Sequence, residues 1–270
     1  MAELEQLGYS AIWYPGGAGG PVFEIADNIL SATREVPVGI GILNLWAHEP
    51  AVVAASFAEL DTKHPGRYLL GIGASHKAMV DAGGNTGRFT QPWTAMNAYL
   101  DALDAADTPV PPGRRVLAAL GPKMTETART RAGGIHSFFV TAEHTRLARE
   151  SIGPDAVLAP EHAVILETNS DKAREIARRY TGLYLRFPNY WRNLLRLGWT
   201  EDDIRGGGSD RLVDELVAWG DPATIRKRVD AHLEAGADHV CVQVLTEAWG
   251  PPYDKFPRTE WRQLAEALTR

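Results

Sequence analysis

Cysteine is almost absent from this chain, which has one residue of that type, Cys241, among 270. A disulfide within the chain needs two cysteines and a multi-cysteine metal site needs more, so both are excluded. The histidines do not recur with carboxylates at the spacing of metal ligands, and we interpret five of them as structural or surface residues: His136, His144, His162, His232 and His239. The sequence predicts no metal site.

Long apolar runs and an excess of basic residues are also missing. No apolar segment approaches the roughly 18 residues that cross a bilayer, and the first residues lack the charged and then apolar pattern of a signal peptide. The net charge is −6, whereas non-specific binding to nucleic acid needs a basic surface. These absences predict a cytoplasmic protein that binds neither membranes nor nucleic acid.

Short runs rich in β-branched residues alternate with amphipathic helical segments, a pattern typical of a parallel sheet flanked by helices. Seven strands are predicted, at residues 10–14, 38–43, 68–72, 116–120, 135–140, 163–167 and 239–245. Residues 181–208 are predicted to be an irregular insertion with short helical patches, and residues 211–219 to be helical. The length suits one large domain or two small ones, and α/β barrels of this length are commonly one domain. We therefore predict a single α/β domain over residues 1–270.

Seven strands are one fewer than a closed (β/α)8 barrel contains. Residues 2–8 have the pattern of a helix end, with Gly8 just after the last turn. A helix already under way at residue 2 predicts that the first strand of the barrel is lacking. Strands 10–14 and 239–245 would then have open edges, which an upstream segment or a partner chain would cover.

Five motifs, in the expected order, resemble those of the luciferase-like family of flavin and deazaflavin oxidoreductases. They are LGYSAIWYP at 7–15, GIGILNLWAHEP at 39–50, LDTKHPGRYLLGIG at 60–73, LAALGPKM at 117–124 and GADHVCVQV at 236–244. The resemblance covers nearly the whole chain and implies a luciferase-like TIM barrel. The NLW, LGPKM and GADHVCVQV motifs are similar to those of a mainly actinobacterial subgroup assigned to coenzyme F420 rather than FMN.

The resemblance implies a cofactor site at the carboxyl ends of the strands. A non-proline cis peptide between Gly41 and Ile42 would support the middle of the deazaflavin ring, and Asn44 would hydrogen bond to the cofactor. Ala74 and Ser75 would line it where strand 68–72 ends. Alternatively, Asn44 is only a polar residue that ends a buried strand.

The turn that follows strand 116–120 leads directly into a helix. Free amides at a helix N-terminus bind phosphate, and a lysine adds positive charge. The resemblance implies that this turn binds the phosphate tail of the cofactor, although it could also be an ordinary turn with a surface lysine. Its residues are Gly121, Pro122, Lys123 and Met124.

His76 stands where a related sugar-phosphate dehydrogenase has a carboxylate that donates a proton. Because a histidine titrates near neutral pH, His76 is the candidate catalytic acid or base, unless it only shapes the pocket. Aromatic and polar residues near the same mouth are candidates for the wall of a substrate pocket: Trp13, Tyr14, Trp46 and His48. Trp13 could equally belong to the core, and His48 could only cap a helix.

Relatives often have an acidic residue or a histidine after the 7–15 motif, but this chain has Gly16 and Gly17 there. Their reaction therefore cannot be transferred whole. Three hypotheses follow: an F420-dependent oxidoreductase that transfers a hydride to or from a small organic substrate, an FMN-dependent monooxygenase, or an impaired barrel that only binds a ligand or partner. The resemblance also implies a homodimer.

Overall fold

The computed structural model describes residues 1–17, 19–82, 84, 87–250 and 255–269. Its strands are β1 (Ile12–Tyr14), β2 (Val38–Ile40), β3 (Leu43–Asn44), β4 (Tyr68–Gly73), β5 (Arg115–Leu117), β6 (Gly134–Ile135), β7 (Val157–Leu158), β8 (Glu161–Ile165), β9 (Val217–Trp219) and β10 (Cys241–Val244). Its helices are α1 (Ala2–Gln6), α2 (Val22–Ser31), α3 (Pro50–Lys63), α4 (Lys77–Ala82), α5 (Pro92–Asp104), α6 (Pro122–Arg131), α7 (Ala142–Ile152), α8 (Ser170–Tyr184), α9 (Pro188–Arg196), α10 (Glu201–Ile204), α11 (Asp210–Leu216), α12 (Pro222–Glu234) and α13 (Arg258–Leu268).

The chain divides into two compact units. The first comprises residues 1–136 and 151–157, and the second comprises residues 137–150 and 158–270. The prediction of a single domain over the whole chain stays a prediction.

The sheet of the first unit follows the order β1-β2-β4-β5-β6-β7, and β3 also pairs with β4. The recorded strand pairs are parallel, and strands that follow one another along the chain are neighbours in the sheet. A parallel connection requires a crossover, and helices α2, α3, α5 and α6 provide it. Because the strands are parallel, the residues that follow β3, β4 and β5 emerge at one edge of the sheet.

The two faces of this sheet are packed differently. On the face that packs against the helices, Ile12 and Tyr14 are buried, and the Tyr14 hydroxyl donates to the Val22 carbonyl at 2.9 Å. That hydroxyl also lies 2.9 Å from the hydroxyl of Tyr68. Trp13 points to the opposite face, because side chains alternate along a strand.

The sheet of the second unit has the order β10-β8-β9, with both pairs parallel. Its apolar core joins residues of the three strands to helices α12 and α13. These core residues are Val164, Ala218, Ile225, Val244 and Leu264. Their burial explains why Val164 and Val244, which pair across β8 and β10, are apolar.

Several predicted boundaries are wrong. The predicted strand 38–43 is two strands, β2 and β3, and the peptide between them at Gly41–Ile42 is cis, as predicted. The predicted strand 135–140 is confined to Gly134–Ile135, and Phe139 has a φ of 59°, which a strand cannot contain. The predicted helix 211–219 ends at Leu216, since Val217–Trp219 pairs with β8. Much of the segment 181–208 is helical.

The expected open edges are found in the part of the chain that the structure describes. There, β1 pairs only with β2, and β10 pairs only with β8. Along β10, Cys241, Val242 and Gln243 are partly exposed, whereas most of β8 is buried. Each of these two strands therefore has a neighbouring strand on one side only.

Candidate functional site

The ends of β3 and β4 lie side by side and hold Asn44 in one orientation. Asn44 is paired with Gly73, and the Leu45 N–H donates to the Gly73 carbonyl at 3.1 Å. The Asn44 side chain is buried, and its Oδ1 accepts a hydrogen bond from the Trp46 N–H at 3.1 Å. With Oδ1 engaged in this way, the Nδ2 group is the donor that Asn44 can offer to a ligand.

Trp46 ties the loop after β3 to the loop after β4. Its Nε1–H donates to the Ala74 carbonyl at 2.7 Å, and its ring centroid lies 5.8 Å from that of Phe89. Trp46 and Ala74 are both half-buried. The structure thus brings together Asn44, Trp46 and Ala74.

Ser75 and His76 follow Ala74 at the entrance to α4. Ser75 has a φ of 55°, a left-handed conformation that is uncommon outside glycine, and such conformations cost about 1–3 kcal/mol and often occur at functional sites. The His76 carbonyl accepts hydrogen bonds from the N–H groups of Met79 and Val80 at 3.0 and 2.9 Å. The His76 backbone is therefore held, and its side chain is half-buried at the sheet edge.

Gly16 explains why this chain has no acidic residue after the first motif. A Cβ atom at Gly16 would overlap the carbonyl oxygen of Ile42, so no other residue fits without a movement of the backbone. Gly16 is buried, and Ile42 belongs to the cis peptide that separates β2 from β3. The loop after β1 therefore packs directly against the predicted cofactor support.

Trp13 and Tyr14, predicted for the pocket wall, have different surroundings. The Trp13 indole stacks on the imidazole of His136, with 4.2 Å between the ring centroids and 8° between the planes. Tyr14 lies in the core, where its hydroxyl is bonded to Val22 and Tyr68. We therefore leave Tyr14 out of the proposed pocket and keep Trp13 as a half-buried wall residue.

The contact between His136 and Trp13 was not predicted from the sequence. His136 is buried, and a Cβ atom on Gly41 would lie 2.5 Å from its Nε2 atom. The imidazole therefore lies directly over the backbone of Gly41, between β2 and β3. The interpretation of His136 as structural agrees with this position. The signal in the sequence that could have indicated this contact is Gly41 itself, because an aromatic ring can pack closely on the backbone where a residue has no side chain.

The N-terminus of α6 has the features of an anion site. Gly121 is its N-cap and has no side chain to occupy the first amides, and Pro122 occupies the first turn. Lys123 is exposed, and its Nζ lies 5.5 Å from the centre of the Trp93 ring. Met124 is half-buried beside it. These residues follow β5 at the same sheet edge as Asn44.

His48 lies before α3 and is half-buried. Its Nε2 atom is buried and has no hydrogen-bond partner among the residues that the structure describes. Burial lowers the pKa of His48, which keeps the imidazole neutral. The N-cap of α3 is Glu49, so His48 does not cap this helix.

The second unit contains a separate buried histidine pair. The Thr145 hydroxyl lies 2.9 Å from Nδ1 of His232, and Nε2 of His232 lies 3.1 Å from Nδ1 of His162. Burial lowers the pKa of both histidines, that of His232 to about 4. Both are structural residues, as interpreted from the sequence, and the described residues include no group of three or more side chains arranged to hold a metal ion.

Three solved structures resemble the chain in fold. An F420-dependent secondary alcohol dehydrogenase in complex with an F420-acetone adduct has a TM-score of 0.75 at 16% identity, over 100% of this chain and 93% of that one. The coenzyme F420-dependent tetrahydromethanopterin reductase of Methanopyrus kandleri has a TM-score of 0.72 at 17% identity, over 99% and 90%. The FMN-bound oxygenating constituent of 3,6-diketocamphane monooxygenase from Pseudomonas putida has a TM-score of 0.68 at 14% identity, over 100% and 90%.

A curated relative matches only in part. Protein YddN of Bacillus subtilis (strain 168), described as uncharacterized, is 32% identical over 76 residues, which are 26% of this chain and 22% of that protein. No helix in the described part of the chain is long and apolar enough to cross a membrane.

The family comparison covers most of the chain. The model described as luciferase-like monooxygenase matches residues 1–239. Together with the structural likenesses, it confirms the predicted fold class, an α/β luciferase-like TIM barrel that is incomplete among the described residues. The chain therefore belongs to the luciferase-like monooxygenase family, a superfamily of oxidoreductases.

Proposed function

We propose that the protein is an F420-dependent oxidoreductase that transfers a hydride between the deazaflavin and a small organic substrate. The observation that carries this proposal is the sheet edge after β3, β4 and β5. It combines the Asn44 amide, the constrained backbone at Ser75 and the uncapped N-terminus of α6. Two of the structural relatives are F420-dependent enzymes, which favours the same cofactor here.

The donor set of this edge fits a flavin-type cofactor. A flat ring with carbonyl and N–H groups needs a close backbone and a few directed polar groups, which Ile42, Asn44 and Ser75 can offer. A phosphate needs free amides and a positive charge, which the first turn of α6 and Lys123 can offer. When bound, F420 would supply or accept the hydride.

The residues of the chain then have distinct roles. Asn44 donates a hydrogen bond from Nδ2, and Ala74 and Ser75 position the ring through their main chain. His76 holds or releases a proton at an imidazole nitrogen, which suits it to the step that accompanies hydride transfer. Trp46 and Trp13 exclude water from the reacting groups, and His48 contributes a neutral imidazole to the wall.

A binding titration tests the proposal. Purified protein is titrated with F420 and separately with FMN, and cofactor fluorescence is followed. Micromolar binding of F420 without binding of FMN supports the proposal. Lys123→Ala should weaken F420 binding roughly tenfold, because it removes a charge-assisted contact. Lys172→Ala, an exposed lysine of α8, is the control and should leave the affinity unchanged.

An FMN-dependent monooxygenase is the second candidate. The observation that favours it is the likeness to the FMN-bound oxygenating constituent from Pseudomonas putida. Tight FMN binding together with oxygen consumption in the presence of a reductant would select this candidate over the first.

Cofactor binding without catalysis is a separate possible outcome. A barrel that binds F420 but reduces or oxidises no member of a substrate panel would favour the third hypothesis, a ligand-binding protein.

We also propose a homodimer located in the cytoplasm. Sedimentation equilibrium at micromolar concentration should give twice the mass of one chain, and a monomer would contradict the homodimer.

A further inference from the structure

The second unit contains a carboxyl group that the proposed mechanism does not use, that of Glu161, a partly exposed residue at the start of β8. Its Oε1 atom is buried and has no hydrogen-bond partner in the described part of the chain. Burial raises the pKa of this carboxyl to about 8. At neutral pH the group is therefore mostly protonated and uncharged, and it can both donate and accept a hydrogen bond.

Gln243 adds a second unbonded oxygen on the same face of the sheet. Strands β8 and β10 pair with Cys241 opposite Glu161 and Gln243 opposite Ala163. Paired residues of neighbouring strands point to the same face, about 4.8 Å apart, and residues two apart along a strand share that face. Gln243 Oε1 is also buried without a partner among the residues that the structure describes.

Aromatic residues lie near Glu161. The main-chain N–H of Glu161 donates to the Ser137 carbonyl at 2.8 Å, which brings the following residue, Phe138, close to Glu161. The Phe138 ring contacts that of Tyr184 edge to face at 4.7 Å and that of Tyr190 at 5.8 Å. Burial raises the pKa of Tyr190, and the charges of Tyr184 and Glu161 raise it further, so its hydroxyl lies within electrostatic range of the carboxyl.

We propose that Glu161 and Gln243 form a binding site for an uncharged ligand that carries a hydroxyl or primary amide group on a planar apolar body. The uncharged Glu161 carboxyl donates and accepts and the Gln243 oxygen accepts, so a hydroxyl or primary amide can bond to both, whereas a carboxylate offers no donor to either unbonded oxygen. The aromatic rings beside Glu161 suit a flat apolar body. The site lies within the second unit and goes beyond the proposed function, on which it does not rest.

Three ligands of one shape test the site. Benzamide is neutral, benzoate is an anion and benzylamine is a cation, and each is titrated into the full chain without cofactor, with ligand-observed NMR as the readout. Benzamide should bind in the millimolar range and benzoate at least tenfold more weakly. Benzamide should also slow the modification of Cys241, the single thiol of the chain, by a thiol reagent.

Variants of Glu161 and Gln243 test whether these two residues bind benzamide. In the unaltered protein, benzamide affinity should fall about tenfold from pH 7 to pH 9 as Glu161 ionises. Glu161→Gln keeps the shape and should bind equally at both pH values. Gln243→Leu should weaken binding roughly tenfold at either pH, because it removes a hydrogen-bond acceptor. Glu175→Gln, an exposed glutamate of α8, is the control and should behave as the unaltered protein.

Equal affinities for benzamide and benzoate, tighter binding of benzylamine, or a flat pH profile in the unaltered protein would each overturn the proposal. Circular dichroism of each variant shows whether it is folded, and Glu161→Gln at pH 9 is a test in which binding is retained rather than lost. F420 affinity is measured on the same samples. Benzamide binding without F420 binding would contradict the proposed function alone, and the reverse would contradict this site alone.

Discussion

The indole of Trp13 and the imidazole of His136 are stacked, 4.2 Å apart and within 8° of parallel. The two residues come from β1 and from the end of β6, so the contact spans the sheet of the first unit. The imidazole lies over Gly41, which precedes the cis peptide at Ile42. The stack therefore connects the packing of the sheet to the shape of the proposed cofactor site.

Replacement of Trp13 by alanine should remove this stack and leave a cavity. Because Trp13 is half-buried, we expect a loss of about 2–3 kcal/mol in the free energy of unfolding, below the range for fully buried tryptophans. Urea denaturation measures this loss. Trp13→Phe retains a ring and should lose less than half as much, and equal losses for both variants would contradict the role of stacking.

Replacement of Gly16 by alanine should disturb the support formed by Ile42. The new Cβ would overlap the Ile42 carbonyl oxygen, and overpacking of this kind costs about 1–3 kcal/mol. F420 affinity should fall together with stability. Gly113 is the matched control, because a Cβ there meets no atom within 4 Å, and Gly113→Ala should change stability by less than about 0.5 kcal/mol.

Arg115 has a fully buried side chain that is paired with Asp104 at 2.6 Å and donates to the Arg131 carbonyl at 2.9 Å. Arg115→Ala should cost about 3–4 kcal/mol, because it removes packing and leaves polar partners unbonded. Arg115→Met retains most of the volume and should cost clearly less. Thermal unfolding of both variants measures the difference, and equal losses would show that the charge rather than the volume matters.

The histidine pair of the second unit should make stability fall in acid. The folded pKa of His232 is about 4, below the ordinary value of 6.5, so the unfolded chain binds more protons between these values. The stabilisation is complete above about pH 6.5 and is lost as the pH falls towards 4. At pH 5 the loss from His232 is about 2 kcal/mol.

Urea denaturation at pH 7.5 and pH 5 measures this loss. The pKa of His162 is lowered as well, chiefly by burial and also by the charges of His232 and Arg228, and it shifts stability in the same direction. His232→Gln cannot be protonated and should show a smaller loss between the two pH values. An equal loss in this variant would assign the effect to other groups.

The cofactor edge could be predicted in outline but not in its contacts. The order of strands and helices places the residues after β3, β4 and β5 at one edge of a parallel sheet, which brings Asn44, Ser75 and Lys123 to the same side. Their hydrogen bonds depend on register, and the bond from Trp46 to Ala74 crosses between two loops. Periodicity carries no information about such a bond.

The local preference of a segment for helix or strand did not decide its structure where pairing with a distant strand was possible. Residues 217–219 continue the pattern of α11, yet they form β9 because β8 offers a free edge beside Ala163, Val164 and Ile165. The reverse holds at Phe139, where a positive φ stops an apolar segment that alternation alone predicts to be a strand. Both outcomes depend on contacts far apart along the chain.

The sequence by itself determined the class of fold and the family, because alternation of strands and helices and five motifs in order depend only on residues close together in the chain. The resemblance to the family implied the cis peptide at Gly41–Ile42, which the structure contains. Only the tertiary structure decided that Tyr14 is core, that His136 stacks on Trp13 and that Glu161 and Gln243 share one face of the second sheet. Burial and pairing of distant residues follow from packing, and packing is a property of the whole folded unit.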